Sequence, residues 1–214
     1  MLKYLRLNLF YKFLRPYQQQ TRRKRSEMFS KHIRLQPGMK VLDLGGTPEI
    51  WQFVETPLDI TLLNLEFDPQ FTASNYKGHH NLTFIQGDAC DTKFPSNAFD
   101  LVFSNSVIEH VGDVQKQQAF AAQVHRLAPR YWVQTPAKWF PIEAHTGMPF
   151  WWFLPERLRT KLIANWRKDL PLWSEYIAGT RLVDRASLTR MFPNSSLLTE
   201  RNVGLVKSYI VCRA

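Results

Sequence analysis

Five short apolar segments recur along residues 40–135, and most of them end next to a glycine or a small polar residue. Helical patterns separate some of them, a short one after Thr47-Pro48 and a longer one over Asp113–Leu127, where Asp113 suits the N-cap position. Short apolar strands flanked by helices are typical of a mostly parallel sheet that is covered on both faces. The pattern therefore predicts an α/β fold with strands at Lys40–Gly45, Ile60–Phe67, Leu82–Gln86, Phe99–Ser104 and Tyr131–Thr135.

The alternation stops at residues 136–180, a proline- and tryptophan-rich insertion with a helical pattern at Leu158–Lys168. A further helix is predicted at Asp184–Met191, and two apolar segments, Ser196–Thr199 and Lys207–Arg213, end the chain. Few residues separate these two segments, so we expect them to be antiparallel neighbours. The expected organisation is a basic helical extension at 1–36 and one domain at 37–214, with a lid or substrate insertion at 136–180.

Positive charge is concentrated at the N-terminus. Residues 1–40 contain eleven Lys or Arg residues and one acid, Glu27, and this excess accounts for the formal net charge of +10. Such a segment can face phosphates or an anionic membrane, at about 1 kcal/mol per basic residue in the membrane case. We expect peripheral contact with an anionic membrane through residues 1–25. The alternatives for the first residues are a helix that packs on the domain and a helix that lies in a bilayer interface.

Other features restrict the class of protein. No stretch approaches the ~18–20 uninterrupted apolar residues of a transmembrane helix, and Lys3, Arg6 and Lys12 interrupt any signal-peptide core. The two cysteines, Cys90 and Cys212, lie far apart and match no metal or redox spacing. We therefore expect a cytoplasmic protein without a metal site.

Small and acidic residues lie at the ends of four predicted strands. In an open α/β sheet, ligands bind beyond the carboxyl ends of the strands, where the strand order reverses. Glycines in the first such turn let the backbone approach a ligand, and an acid about 20 residues further on is typical of a ligand for ribose hydroxyls. These residues are Asp43, Gly45 and Gly46 at the first strand, Glu66 at the second, Asp88 and Ala89 at the third, and Asn105 at the fourth.

With these residues the chain resembles the class I S-adenosylmethionine-dependent methyltransferases, in particular those of the small-molecule "methyltransferase 11" type. The resemblance covers residues 38–135 and, more loosely, 181–214. It is carried by VLDLGG (41–46), LNLEF (63–67), GDACDTKFPSNAFDLVFSNSVIEHV (87–111) and the C-terminal stretches RLVDRASLTRMFP and GLVKSYIVCRA.

The resemblance implies a Rossmann-like, doubly wound sheet of seven strands with only the last strand antiparallel, and S-adenosylmethionine as cofactor. It implies that Asp43, Gly45 and Gly46 line the methionine end of the cofactor. Glu66 would hold the ribose hydroxyls. Asp88 and the Ala89 backbone would face the adenine, and the loop at Asn105 would close on the sulfonium side.

The first loop departs from the family pattern, because Thr47-Pro48-Glu49 stands where a further small residue and a glycine are usual. Proline fixes φ and removes a backbone donor, but it is well tolerated at a helix start. The rival function for this fold is a dinucleotide oxidoreductase. Its pyrophosphate would meet the carboxylate of Glu49 at the helix N-terminus, which is unfavourable, whereas a cofactor with a positive sulfonium suits an acidic loop.

The insertion supplies the candidate catalytic residues, Glu143 and His145. In an extended chain these residues point to the same side, and a hydroxyl acceptor needs a base. We interpret His145 as the general base and Glu143 as the residue that orients it or binds substrate. The alternative is that both only fix the loop. His110 and Glu109, in IEHV, are expected to be structural.

Six aromatic residues of the insertion predict a lid or an apolar acceptor pocket, or else an ordinary hydrophobic cover. With the basic N-terminus, they favour an amphipathic acceptor, with lipid- and glycan-linked molecules among the options. The predicted function is methyl transfer from S-adenosylmethionine to an oxygen of a small or amphipathic acceptor of this kind. The alternatives are a nucleic-acid methyltransferase, disfavoured because no Asn-Pro-Pro-aromatic stretch follows the fourth strand, and a non-catalytic binding protein. The aromatic residues are Trp139, Phe140, Phe150, Trp151, Trp152 and Phe153.

Overall fold

The computed structural model describes residues 19–67, 76, 78–143 and 145–214. Residues 19–32 form helix α1. The strands are β1 (Lys40–Leu44), β2 (Asp59–Asn64), β3 (Asn81–Gln86), β4 (Leu101–Asn105), β5 (Arg130–Pro136), β6 (Ser196–Asn202) and β7 (Leu205–Arg213). The remaining helices are α2 (Pro48–Trp51), α3 (Val114–Leu127), α4 (Glu156–Arg167), α5 (Pro171–Gly179) and α6 (Arg185–Met191).

The seven described strands form one sheet in the order β3-β2-β1-β4-β5-β7-β6. Strands β1 to β5 pair in parallel, and β7 pairs antiparallel with both β5 and β6. The chain runs outward from β1 to β3 and then returns to the other side of β1 with β4, so the strand order reverses between β1 and β4. The predicted doubly wound sheet with its last strand antiparallel is confirmed.

Two hydrophobic layers cover the sheet, because neighbouring residues of a strand point to opposite faces. One layer joins Val41 of β1 to α1 and α2, through Phe29, Ile33 and Trp51. The other layer joins Leu42 and Leu44 of β1 to α3 and α6. Helices therefore lie on both faces, as predicted.

Helix α1 is part of the core. The ring of Phe29 meets those of Trp51, Phe103 and Trp132 edge-on, with centroid separations of 6.1, 5.1 and 5.5 Å. Ile33 is completely buried one turn further on. The described part of the basic segment thus docks on the sheet through the buried face of α1, whereas residues 1–18 lie outside the described residues.

Some elements end elsewhere than predicted. Strand β2 ends at Asn64 and not at Phe67, since Leu65 is 69% exposed and no longer belongs to the buried strand. Helix α3 begins as predicted, with the Asp113 side chain accepting a hydrogen bond from the Lys116 backbone N–H at 3.0 Å. Helix α5 was not predicted, because the proline at its start is also the signature of a loop.

The insertion consists of a loop and two helices. Ile142 and Pro149 form an antiparallel bridge that closes the loop, and a short 3₁₀ helix at Trp151–Phe153 leads into α4. Trp166 of α4 stacks on Trp151 with centroids 5.4 Å apart and lies 5.1 Å from Trp173 of α5. None of the described helices combines the length and the apolar character needed to cross a bilayer.

Candidate active site

The carboxyl ends of β1, β4 and β5 lie side by side at one edge of the sheet, because these strands are parallel neighbours. At this edge the strand order reverses, which is where open α/β sheets bind ligands. The chain continues from β1 into a glycine turn, from β4 into the loop that carries Glu109 and His110, and from β5 into the insertion. The candidate residues therefore converge on one crevice.

Asp43 lies beneath the glycine turn and is completely buried. Trp51 Nε1 donates a hydrogen bond to Asp43 Oδ2 at 2.8 Å, while Oδ1 has no partner among the described residues. A Cβ atom at Gly46 would overlap this carboxylate, and Gly45 has a φ of +76° that favours glycine. Burial raises the pKa of Asp43 to about 7, although the Trp51 hydrogen bond opposes the rise. The glycine turn therefore packs against the Asp43 carboxylate, which has one oxygen without a hydrogen-bond partner among the described residues.

The other residues predicted to hold the cofactor lie along the same edge. Glu66 lies two residues beyond the end of β2 and is exposed. Asp88 Oδ1 accepts from the Cys90 backbone N–H at 2.8 Å, and Oδ2 lies 3.5 Å from Lys116 Nζ. Ala89 is partly buried against the hydrophobic layer of α3. The Asp88 carboxylate thus has protein partners at both oxygens.

Asn105 is the last residue of β4, and its side chain contacts α1. Arg25 Nη1 donates to Asn105 Oδ1 at 2.6 Å, while Arg25 Nη2 donates to Glu200 Oε2 at 2.7 Å. Ser208 also donates to Glu200 Oε2, and Lys207 Nζ lies 3.6 Å from Glu200 Oε1. Burial raises the pKa of Glu200, but the Arg25 charge and the Ser208 hydrogen bond outweigh it, so the net shift is downward. This buried network joins α1, β4 and the β6–β7 hairpin.

A cavity of about 530 Å³ lies above this network. Its walls come from α1, the ends of β4 and β5, the insertion and the β6–β7 hairpin. Of the predicted cofactor residues Asn105 lines it, and both predicted catalytic residues do so as well. The lining residues are Thr21, Arg22, Arg25, Asn105, Ser106, Gln134, Pro136, Ala137, Phe140, Ile142, Glu143, His145, Gly147, Trp152, Asn202, Lys207 and Ser208.

Glu143 and His145 are in contact, but in a turn and not in an extended segment. Glu143 Oε2 accepts from the backbone N–H groups of His145 and Thr146 at 2.8 and 2.6 Å. Its other oxygen lies 2.6 Å from His145 Nδ1. Burial lowers the pKa of His145, but the Glu143 hydrogen bond and charge outweigh it and raise the pKa overall. Burial likewise raises the pKa of Glu143, and its bonds to His145 and Thr146 lower it overall.

His110 and Glu109, expected to be structural, lie beside this pair. His110 Nε2 is 3.1 Å from His145 Nε2 and 2.7 Å from the hydroxyl of Tyr176 in α5. Burial first, and the charge of His145 second, lower the pKa of His110 to about 3. Glu109 is completely buried and accepts from Thr135 Oγ1 at 2.9 Å. Burial raises its pKa to about 7.

The predicted aromatic lid divides into three parts. Phe140 and Trp152 line the cavity, and Trp151 is buried under α4. Trp139, Phe150 and Phe153 form an exposed patch, with ring centroids of Trp139 and Phe153 5.2 Å apart. Some of these residues therefore cover the core, and others face the cavity or solvent.

Several residues of the site could not be predicted from local sequence patterns. Tyr176 was missed because α5 was not predicted. Arg25 is separated from Glu200 by 175 residues, so no local pattern links them. His110 and His145 are 35 residues apart in sequence and in contact in the structure. The sequence indicates this contact only in that both residues follow strands that end at the same edge of the sheet.

We expect Asp43→Asn to change how stability depends on pH. Between about pH 4 and 7 the folded protein keeps a proton on Asp43 that the unfolded chain releases, so stability falls as pH rises, by roughly 1.4 kcal/mol per unit. Asparagine removes this slope while keeping an acceptor for Trp51. In urea unfolding at pH 5, 6 and 7, the difference in the free energy of unfolding between the variant and the wild type should shift in favour of the variant as pH rises. As a control, Asp91→Asn changes an exposed acid, and its free energy of unfolding should depend on pH in the same way as that of the wild type. The same pH dependence in Asp43→Asn and the wild type would disprove the raised pKa of Asp43.

Comparisons with known proteins find a matching domain and a shared fold. The profile of a family described as "Methyltransferase domain" matches residues 43–129. Sterol 24-C-methyltransferase of Aspergillus fumigatus is 33% identical over 101 residues, which cover 42% of this chain and 26% of that protein. The match thus spans about a quarter of the length of this curated relative.

Solved structures share the fold. Magnesium protoporphyrin IX methyltransferase from Synechocystis PCC 6803, with bound S-adenosylhomocysteine, has a TM-score of 0.56 at 14% identity, over 99% of this chain and 94% of that chain. A methyltransferase dependent on S-adenosylmethionine from Methanosarcina mazei has a TM-score of 0.53 at 13% identity, over 83% of this chain and 92% of that chain. At such identities the likeness shows the fold alone. Residues 43–129 thus match a methyltransferase domain, and the chain as a whole is similar in fold to S-adenosylmethionine-dependent methyltransferases.

Proposed function

We propose that the protein transfers a methyl group from S-adenosylmethionine to an oxygen of a small or amphipathic acceptor, including lipid- and glycan-linked ones. The observation that supports the proposal is that two features lie along the same edge of the sheet. The first is a glycine turn over the partly unpartnered Asp43 carboxylate. The second is a cavity with a hydrogen-bonded Glu143–His145 pair in its wall.

This chain has suitable residues at the positions expected to bind S-adenosylmethionine. Asp43 Oδ1 is a buried acceptor without a partner among the described residues, as a cationic amino group requires. Gly45 and Gly46 would line the methionine end with it, Glu66 would bind the ribose hydroxyls, and Asp88, Ala89 and Asn105 would complete the site. When bound, S-adenosylmethionine supplies a methyl group activated by its sulfonium charge.

His145 is the proposed general base. It lines the cavity, and the Glu143 carboxylate 2.6 Å from Nδ1 orients the ring, so that proton exchange falls to Nε2, which lies 3.1 Å from His110 Nε2. Glu143 is itself held by two backbone N–H groups, so the pair is rigid. Removing the acceptor proton and orienting the acceptor oxygen are the tasks that this chain's own residues would perform.

The cavity suits an acceptor with polar and apolar parts. Phe140, Ile142 and Trp152 offer apolar surface, and Asn105, Ser106 and Gln134 offer polar groups. The curated relative is named for methylation of a sterol, itself an amphipathic molecule, which supports the same class here. Buried Arg25 is engaged with Glu200, so the run Arg22–Arg25 is less suited to gripping nucleic-acid phosphates than its sequence suggested.

We further propose a cytoplasmic protein that touches an anionic membrane through residues 1–25. The free cysteines Cys90 and Cys212 are both buried, which suits a reducing compartment. Within the described part of this segment, Arg23 and Lys24 are exposed, whereas Arg25 is turned inward. Most of the charge available for a membrane therefore precedes α1.

Gly46→Ala should weaken S-adenosylmethionine binding by at least about 10-fold, because the new Cβ would overlap the Asp43 carboxylate and displace the turn. Isothermal titration calorimetry measures the affinity. Gly179→Ala is the matched control, since its Cβ meets no atom within 4 Å. If the wild type binds no S-adenosylmethionine, methyl transfer is ruled out and the non-catalytic alternative is favoured.

His145→Ala should reduce methyl transfer by about 10²–10⁴-fold with unchanged cofactor affinity, as expected on loss of a general base. The assay incubates the protein with methyl-labelled S-adenosylmethionine and extracts of cells that lack it, and counts label in lipid, polar and nucleic-acid fractions. His79→Ala, at an exposed histidine bonded to the Val54 carbonyl, should be fully active. Full activity in His145→Ala would remove this residue from the mechanism, and label confined to the nucleic-acid fraction would favour the nucleic-acid alternative.

Replacing Lys3, Arg6, Lys12 and Arg15 with Gln should weaken binding to phosphatidylserine vesicles by at least about 10-fold, from about 1 kcal/mol per charge near the surface. Flotation at low and high salt measures the binding. The control replaces four exposed cations elsewhere, Arg157, Lys161, Lys168 and Arg185. Equal loss in both variants, or flotation that salt does not affect, would contradict membrane contact through residues 1–25.

A further inference from the structure

Three metal-ligating side chains meet next to the cavity. Glu109 and His110 follow β4, and His145 comes from the insertion. One oxygen of Glu109 and one nitrogen of each histidine lie within 4.8 Å of one another, a grouping found nowhere else among the described residues. His145 also lines the cavity, so the cluster is reached from there.

Glu109 provides the first indication that the cluster is built for a ligand. The residue is completely buried, and Thr135 occupies its Oε2. Its Oε1 has no hydrogen-bond partner within the described part of the chain and lies 3.9 Å from His110 Nε2. A buried carboxylate oxygen without a partner is unfavourable, and a cation between Glu109 and His110 would satisfy it.

The histidines provide the second indication, because each ring is held through its other nitrogen. His145 Nδ1 lies 2.6 Å from Glu143 Oε1, and His110 Nδ1 lies 3.3 Å from Thr180 Oγ1. In protein metal sites a ligating histidine almost always has such a partner, which fixes the ring and its tautomer. The Nε2 atoms of the two rings lie next to each other, with the Tyr176 hydroxyl beside that of His110.

The spacing fits an ion. The Nε2 atoms of His110 and His145 are 3.1 Å apart. Two ligands at ~2.1 Å from a tetrahedral Zn²⁺ are separated by about 3.4 Å, so only a small adjustment is needed. The Tyr176 hydroxyl, 2.7 Å from His110 Nε2, adds an oxygen on the same side. In the metal-free protein a single proton shared between the two imidazoles accounts for the short contact.

We propose that Glu109 Oε1, His110 Nε2 and His145 Nε2 bind one divalent first-row transition-metal ion, of which Zn²⁺ suits the ligands best. Two imidazoles and one carboxylate form a known ligand set for this ion, with the fourth position left to water or another oxygen. The ion replaces the proton between the two imidazoles, and that proton is released to solvent. If His145 is the general base, as proposed above, it uses the same nitrogen to accept the acceptor's proton. Bound Zn²⁺ would then block this proton transfer and inhibit methyl transfer.

Titration of chelator-treated, tag-free protein with Co²⁺, followed by its visible d–d absorption, tests the site without any activity measurement. One Co²⁺ per chain is expected, in tetrahedral coordination and displaced by one equivalent of Zn²⁺. His110→Ala and Glu109→Gln should each weaken binding by at least about 100-fold, and Glu143→Gln, which only loosens the support of His145, by about 10–100-fold. His79→Ala, at a histidine outside the cluster, should bind like the wild type.

Absence of stoichiometric binding in the wild type would overturn the proposal. So would equal affinity in the wild type and Glu109→Gln. Glutamine keeps the Thr135 hydrogen bond, so this variant decides the question if circular dichroism shows that His110→Ala is unfolded. Because the readout is metal binding, a failed metal site leaves the methyltransferase proposal intact, and an inactive protein that still binds Co²⁺ leaves the metal site intact.

Discussion

The reversal of strand order between β1 and β4 is the constraint on which the site depends. The chain leaves β1 toward β2 on one side and re-enters the sheet on the other side as β4, so the loops after these two strands separate and open a crevice. Both strands are buried on both faces, which fixes their register and hence the position of each loop. Asp43, Asn105 and the residues after β5 meet because three parallel neighbours end at one edge. Without this topology they would be scattered polar residues.

Much of the fold could be predicted from local patterns. The parallel strands are short apolar runs, and Asp113 precedes an amphipathic helix that it caps, so neighbouring residues carry the information. The end of β2 could not be predicted, because Leu65 is apolar and yet exposed. Helix α5 was missed because a proline suits the first turn of a helix as well as a loop.

The sequence singles out the residues at successive strand ends and the pair of Glu143 and His145, but not the contacts that each side chain makes. Glu143 and His145 meet through a turn that wraps the carboxylate and not through an extended segment. The partners of Asn105 and His110 depend on how α1 and α5 dock, and no residue spacing encodes that. Long-range contacts of this kind follow from the packed fold, as the bond between Arg25 and Glu200 illustrates.

Helix α1 has a consequence for how such a protein can diversify. It supplies Thr21, Arg22 and Arg25 to the cavity wall, yet it lies outside residues 43–129, the stretch that matches the family profile. Phe29 and Ile33 hold the helix against the sheet, whereas Thr21, Arg22 and Arg25 line the cavity. Two chains that agree over residues 43–129 can therefore differ in the shape and charge of this wall, because the segment that supplies it lies outside the matched domain.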